Sequence, residues 1–289
     1  PIKMKGIKYH ITGENSRARL NAYHSKPSVL DHSYGAEECD VKTIKKVVMG
    51  DSRNGYKSKY KIGFEIEKCS FGARQRKEYA LIQGYERDGS CGVEAVTNIL
   101  PLLPNSQWRM KIFDMMYKAK GIINDDISPS NINCGGHMSI SVDGMTSNEL
   151  YKAIRPNIAI LMAMFRKRLR NRFCNRNLNM CENAPYNGTH WKYNMVSKKD
   201  FGVEIRIASR ITSYKQMFRR YELMYEIVDF SVNKPNGRFA TLLKKVEPIL
   251  MSMYENDRGA VNLRMDLAKD FRNFVINQRL SERINSFLP

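Results

Sequence analysis

The chain is short of acid. Its 289 residues hold 29 Asp and Glu against 48 Lys and Arg, a formal charge of +19. An imbalance of that size points to an anionic partner: nucleic acid, nucleotide or an acidic protein surface. The deficit is concentrated in residues 150–181, which contain no acidic residue while Lys152, Arg155, Arg166, Lys167, Arg168, Arg170, Arg172 and Arg176 fall inside. A charge run is first read as a solvated helix face. Without a counter-ion, this one also fits a polynucleotide, an acidic protein or the phosphate of a substrate.

Other absences narrow the class. The six cysteines (Cys39, Cys69, Cys91, Cys134, Cys174, Cys181) include no Cys-x-x-Cys pair, which argues against a zinc knuckle or a disulfide framework and for thiols in a reducing compartment. The longest uncharged apolar run, residues 158–165, is far short of the roughly 20 residues of a membrane span. No apolar stretch follows Lys3 and Lys5, so no secretory signal is read and an intracellular product is expected. At 42% hydrophobic residues, the chain can still build one large core or two modest ones.

Three segments divide the chain. Residues 1–57 are polar and turn-rich and read as an extension or small module; His24, His32 and Cys39 lie there at spacings that fit no common metal site. Residues 58–233 carry strands expected at 60–67, 78–86, 91–97, 136–142, 191–197 and 202–208. Ser106 is placed to cap a helix through Trp108, Ile112, Met115 and Met116, and Thr146 with Glu149 forms a capping box. Pro156 must kink or break the helix that follows, and a further helix is expected from about 214 to 232. Residues 234–289 open on the turn signal Lys234-Pro235-Asn236-Gly237 and read as two amphipathic helices, 238–254 and 260–286, which close the core or supply an assembly surface.

Chemistry enters through strand alternation. In Ile62-Gly63-Phe64-Glu65-Ile66-Glu67 the period of two puts both carboxylates opposite Ile62, Phe64 and Ile66. The same pattern sets Glu204 beside Arg206 in Val203-Glu204-Ile205-Arg206-Ile207, and sets His137, Ser139 and Ser141 apart from Met138, Ile140 and Val142. Glu94 adds a further carboxylate behind the polar turn Asp88-Gly89-Ser90. Taken singly, Glu-x-Glu is an exposed strand face, Glu204-x-Arg206 an ion pair and His137 a structural histidine. Joined on one sheet, they suit a Mg²⁺ or Mn²⁺ site handling phosphate, or a carboxylate pair doing acid and base work, with His137 and Arg206 favouring the first.

In order, Gly63-Phe64-Glu65-Ile66-Glu67, then Asp88-Gly89-Ser90 with Val93-Glu94-Ala95-Val96-Thr97, then Asn133-Cys134-Gly135-Gly136-His137-Met138-Ser139-Ile140, then Tyr193-Asn194-Met195-Val196 and Val203-Glu204-Ile205-Arg206 resemble the motifs of the amidoligase family, over roughly residues 58–233. That family is similar to glutamine synthetase and glutamate-cysteine ligase. The resemblance implies an α+β fold: an antiparallel sheet forming a funnel, with packed helices and a helical C-terminus. It implies ATP with Mg²⁺ or Mn²⁺, metal ligands at Glu65, Glu67, Glu94, His137 and Glu204, and nucleotide contacts from Glu67, Ser90 and Arg206. Arg206 would meet phosphate or acyl phosphate, and Asp88 would orient the amine or take its proton. The substrates implied are a carboxylate and an amine, peptides among them, in the cytoplasm of a bacterial or phage-infected cell. Family members commonly show Cys-Gly-x-His-x-His; here Ser139 stands at the second histidine, a poorer metal ligand.

The leading expectation is therefore an ATP- and Mg²⁺-dependent carboxylate-amine ligase acting through an acyl phosphate, with an oligomer compatible and no membrane part. The alternative is a basic protein that keeps an inactive ligase-like fold and binds nucleic acid or an acidic partner through residues 150–181, as a virion component for example.

Overall fold

The computed structural model describes residues 58–69, 79–86, 91, 93–124, 133–171, 173–174, 194–199, 202–254 and 258–277. The 1–57 segment, Asp88, Ser90, Arg172, Arg176 and Cys181 lie outside the described residues, and so do the expectations attached to them. The chain forms two compact units. One holds the described residues up to Asp143 together with Arg210–Phe218; the other holds Gly144–Ser209 and the residues from Arg219 onward.

The first unit is built on an antiparallel sheet. Its strands are β1 (Tyr60–Lys68), β2 (Ile82–Glu86), β3 (Val93–Thr97), the short β4 (Leu100–Pro101) and β5 (Met138–Val142), in the order β2-β3-β1-β5 with β4 also on β1. β1 is central because both its edges are used. Glu65 to Lys68 pair with Val96 to Val93, Lys61 and Ile62 with Pro101 and Leu100, and Tyr60 to Phe64 with Val142 to Met138. β3 and β4 act as one strand broken at Asn98 and Ile99. At the break Thr97 Oγ1 accepts the Phe64 amide at 2.9 Å, and Asn98 is held by the carbonyls of Leu81 and Ala80 at 2.8 and 2.9 Å. The break thus leaves no buried strand amide without a partner at Phe64.

Two helices complete this unit, α1 (Gln107–Lys118) and α2 (Lys120–Ile123). Ser106 caps α1 as its sequence position predicts, accepting from the Arg109 amide at 3.3 Å. Ile112, Met115 and Met116 are buried, so these methionines fill the core. Phe113 of α1 packs against Tyr214 and Phe218 with ring centroids 5.6 and 5.0 Å away. On β1, Ile62, Phe64 and Ile66 are fully buried, and the next residue on their face is Lys68, only 1% exposed. Its ammonium donates to the carbonyls of Ile123, at the end of α2, and Ile211, at 3.0 and 3.2 Å.

The second unit holds α3 (Ser147–Ile154), a 3₁₀ turn (Arg155–Ile158), α4 (Ala159–Met164), a second 3₁₀ turn (Arg166–Arg170), the hairpin of β6 (Val196–Lys199) and β7 (Gly202–Ile205), and three long helices. These are α5 (Tyr214–Asn233), within which the division between the units falls, α6 (Phe239–Met253) and α7 (Arg258–Ile276). The Thr146–Glu149 capping box forms, and the helix stops at Pro156 as the missing amide requires. α7 packs along α4, α6 and the first 3₁₀ turn. Lys245 of α6 reaches Glu226 on α5 at 2.5 Å, and Asn157 donates to Ser231 at 2.8 Å. β7 ends sooner than the expected 202–208: the Arg206 amide still reaches the Met195 carbonyl at 2.8 Å, while Ile207, Ala208 and Ile211 stay buried beyond the ladder. An apolar run signals burial without guaranteeing a strand.

Between α5 and α6 the turn places Gly237 hard against its neighbours. A Cβ there would stand 2.5 Å from the Phe230 ring and 2.9 Å from the Lys234 carbonyl oxygen. Phe230 is buried and the carbonyl is backbone, so neither moves cheaply. Gly237→Ala is expected to lower stability by about 1–3 kcal/mol, read as a shift of the urea midpoint at unchanged slope.

Candidate metal centre of the first unit

The register of β1 builds the site. Glu65 and Glu67 share the face opposite Ile66, and Glu67 stands directly across from Glu94 of β3. Like charges directly opposite each other are unfavourable even at a surface. Here Glu67 and Glu94 are both buried. Glu65, Glu67 and Glu94 each bring a carboxylate oxygen to within 4.8 Å of the others. In backbone register Glu86 of β2 lies opposite Glu94, so the row Glu86, Glu94, Glu67 crosses three strands. That row joins β1 to the consecutive strands β2 and β3, and Glu86 carried no local signal of it.

Two donors partly offset the charge. The Gly135 amide donates to Glu67 Oε2 at 2.5 Å. His137 Nδ1 lies 2.6 Å from Glu65 Oε2 and 3.2 Å from Glu67 Oε1. To serve these carboxylates Nδ1 must carry the proton. Ser139, where the resemblance would place a second histidine, is buried opposite Gly63. The alternation read from the sequence therefore places Glu65, Glu67, Glu94 and His137 together within this unit.

Glu204 and Arg206 belong to the second unit. Arg206 Nη1 is ion-paired with Glu204 Oε1, and Lys199 Nζ lies 2.7 Å from Glu204 Oε2. Glu204 is buried. Both its oxygens face cations from its own hairpin, the ion pair that the Glu-x-Arg spacing allows.

The basic stretch divides. Arg155 and Arg168 are only 8% and 6% exposed, and Arg155 Nη2 donates to the Val275 carbonyl at 3.4 Å, whereas Lys152 and Lys167 are exposed. Arg155 and Arg168 thus serve the interior of the second unit, so charge counted along the sequence overstates the cationic surface. A neighbouring buried cation, Arg220, donates to the Ser209 carbonyl and hydroxyl at 2.5 and 3.1 Å and lies over the Phe165 ring. Burial, with Arg168 nearby and against the pull of Tyr254, lowers its pKa to about 9.

The thiols are distributed in a way that spacing conceals. Cys69, Cys91, Cys134 and Cys174 are reduced. Cys91 and Cys134, 43 residues apart, meet beside Glu67, and the Sγ atoms with a Glu67 oxygen lie within 4.8 Å of one another. The Cys134 thiol is held below its ordinary range, first by its hydrogen bond with Cys91 and then by Cys69 and Arg210, against burial and the Glu67 charge. Cys174 is the opposite case: burial pushes its thiol up to about 12, against Arg168 and Arg206. Raising a thiol from 9.0 to about 12 cuts its thiolate fraction roughly a thousand-fold near neutral pH. Alkylation of the native chain in a chelating buffer at pH 8 is therefore expected to modify exposed Cys69 and spare Cys174 until denaturant is added, as read by peptide mass spectrometry.

The described residues thus define an α+β protein with an antiparallel sheet, several helices and a carboxylate wall of which Glu67 and Glu94 are buried. Among them no helix is long and apolar enough to cross a membrane. Compared with models of protein families and with curated proteins, the chain matches none.

Proposed function

We propose that the chain is a metal- and ATP-dependent carboxylate-amine ligase, with the sheet face of Glu65, Glu67 and Glu94 as its metal-binding wall. The observation that carries this reading is the meeting of three carboxylates from β1 and β3, Glu67 and Glu94 buried and Glu65 half-buried, with oxygens within 4.8 Å. An octahedral ion with ligands at about 2.1 Å spans about 3.0 Å along an edge and about 4.2 Å across, close to the separation offered. Hard oxygen donors of this kind suit Mg²⁺ or Mn²⁺.

A bound divalent ion would neutralise phosphate oxygens during phosphoryl transfer. Glu65, Glu67 and Glu94 would hold it, and His137 would orient the first two carboxylates through Nδ1. In the reaction the resemblance implies, a substrate carboxylate oxygen takes the terminal phosphoryl group of ATP, giving an acyl phosphate and ADP. An amine then attacks the acyl carbon, phosphate leaves, and the amine nitrogen gives up a proton. The resemblance assigns Arg206 the guanidinium that would meet phosphate, and Asp88 and Ser90 the roles of their motifs. A funnel of the glutamine synthetase kind belongs to the same proposal.

The test is calorimetry of the purified chain with ATP in the presence and absence of Mg²⁺ or Mn²⁺. Metal-dependent binding that is lost in Glu67→Gln and in Arg206→Ala supports the reading. Absence of nucleotide binding with either ion present sinks it.

A further inference from the structure

Glu67 has two neighbourhoods of different chemical character. Towards Glu65 and Glu94 it faces oxygen; towards Cys91 and Cys134 it faces sulfur. The second neighbourhood is assembled from three separate segments: Glu67 near the end of β1, Cys91 just before β3, and Cys134 four residues ahead of β5. All three residues are buried, and exposed Cys69, the residue after β1, hydrogen-bonds Cys134. Local spacing excludes a zinc knuckle, whose ligands come in close sequence pairs, but says nothing of a site closed by tertiary structure.

We propose that Glu67, Cys91 and Cys134 form a binding site for a thiophilic divalent cation, with Zn²⁺ the ion of matching chemistry and Cys69 the fourth ligand. Zinc takes Cys sulfur at about 2.3 Å and carboxylate oxygen at about 2.0–2.2 Å in tetrahedral geometry, so its ligand atoms stand about 3.5–3.8 Å apart. The three donors lie within 4.8 Å of one another, so closing onto an ion needs adjustments of the order of 1 Å. Thiolate donors select against the hard Mg²⁺ of the oxygen side. Burial of the three donors keeps water out, and the Gly135 amide on Glu67 Oε2 fixes the carboxylate from behind, as supporting hydrogen bonds do for metal ligands generally. Binding releases the thiol protons, so affinity rises with pH.

The site stands independently of nucleotide binding although both readings use Glu67. The experiment titrates Co²⁺ into the reduced, chelator-treated wild-type chain and follows thiolate-to-cobalt charge-transfer absorption. Zn²⁺ is then added as competitor. The expected result is a charge-transfer band that saturates at equimolar cobalt, is abolished by Zn²⁺ and persists in a large excess of Mg²⁺. Cys134→Ser and Cys91→Ser should lose the band, and Cys174→Ser should keep it. Because the band is read first on the unmutated chain, misfolding of a variant does not decide the outcome. Absence of the band in wild type, or its survival in both Cys91→Ser and Cys134→Ser, overturns the proposal. Such a failure leaves metal-dependent ATP binding untouched, whereas a cobalt-thiolate band without nucleotide binding sinks only the ligase reading.

Discussion

In a chelating buffer Glu94→Gln melts at a higher temperature than the wild-type chain, and excess Mg²⁺ reverses the order. The first half follows from register: Glu67 and Glu94 are cross-strand partners on one face, and both are buried. Without a cation their repulsion is offset in part, by the Gly135 amide on Glu67 and the His137 imidazole between Glu65 and Glu67. Making one of the pair neutral should gain about 1 kcal/mol, the upper end for opposed like charges on a sheet. The second half is linkage. An ion present at a hundred times its dissociation constant stabilises the state that binds it by about 2.7 kcal/mol, and the variant, with one ligand weakened, gains little of that. Thermal melts with EDTA and with Mg²⁺ measure both halves. Equal melting of the two chains in EDTA, with no response to Mg²⁺ in either, removes the metal-binding wall.

Lys68→Met is expected to cost about 2–4 kcal/mol, although methionine fills nearly the same volume. The ammonium on the apolar face of β1 supplies donors to the Ile123 and Ile211 carbonyls, and hydrogen bonds involving a charged group contribute about 1.5–3 kcal/mol each. Methionine would leave both carbonyl groups to find other donors in a dry interior, with the relief from burying a charge returning part of the loss. Urea denaturation should show a lower midpoint with the slope preserved, since the core keeps its size. A midpoint within about 0.5 kcal/mol of wild type, the usual spread of surface substitutions, contradicts a stabilising role for the lysine.

What could be read in advance was whatever repeats along the chain. Ile62, Phe64 and Ile66 against Glu65 and Glu67 is a period of two, and β1 follows it residue by residue. Ser106, the Thr146–Glu149 box and Pro156 are local signals for helix ends, and each acts where it stands. Lys68 shows the limit, because a charge on an apolar face reads as the strand's exposed end until α2 brings a carbonyl to it. Arg155 and Arg168 show another: a run of like charges looks solvated when only its sequence is seen, but helical geometry turned two of its members inward. The meeting of Cys91 with Cys134 has no period at all, since β3, β4, α1 and α2 separate them along the chain and only the tertiary fold brings them together.

The central place of β1 makes this strand intolerant of changes in length. Its odd-numbered residues from Gly63 to Glu67 line one face and its even-numbered residues from Ile62 to Lys68 the other, and both edges are paired. Deleting or inserting one residue near Gly63 would exchange the faces of everything beyond it. Glu65 and Glu67 would then enter the apolar side, while Ile66 and Lys68 would meet Glu94. No repacking of side chains can repair such an exchange, whereas many substitutions at the same positions only weaken one contact. A library of single-residue insertions and deletions scored for soluble expression should therefore show a sharp gap over residues 60–68, deeper than the tolerance of the same positions to substitution would suggest.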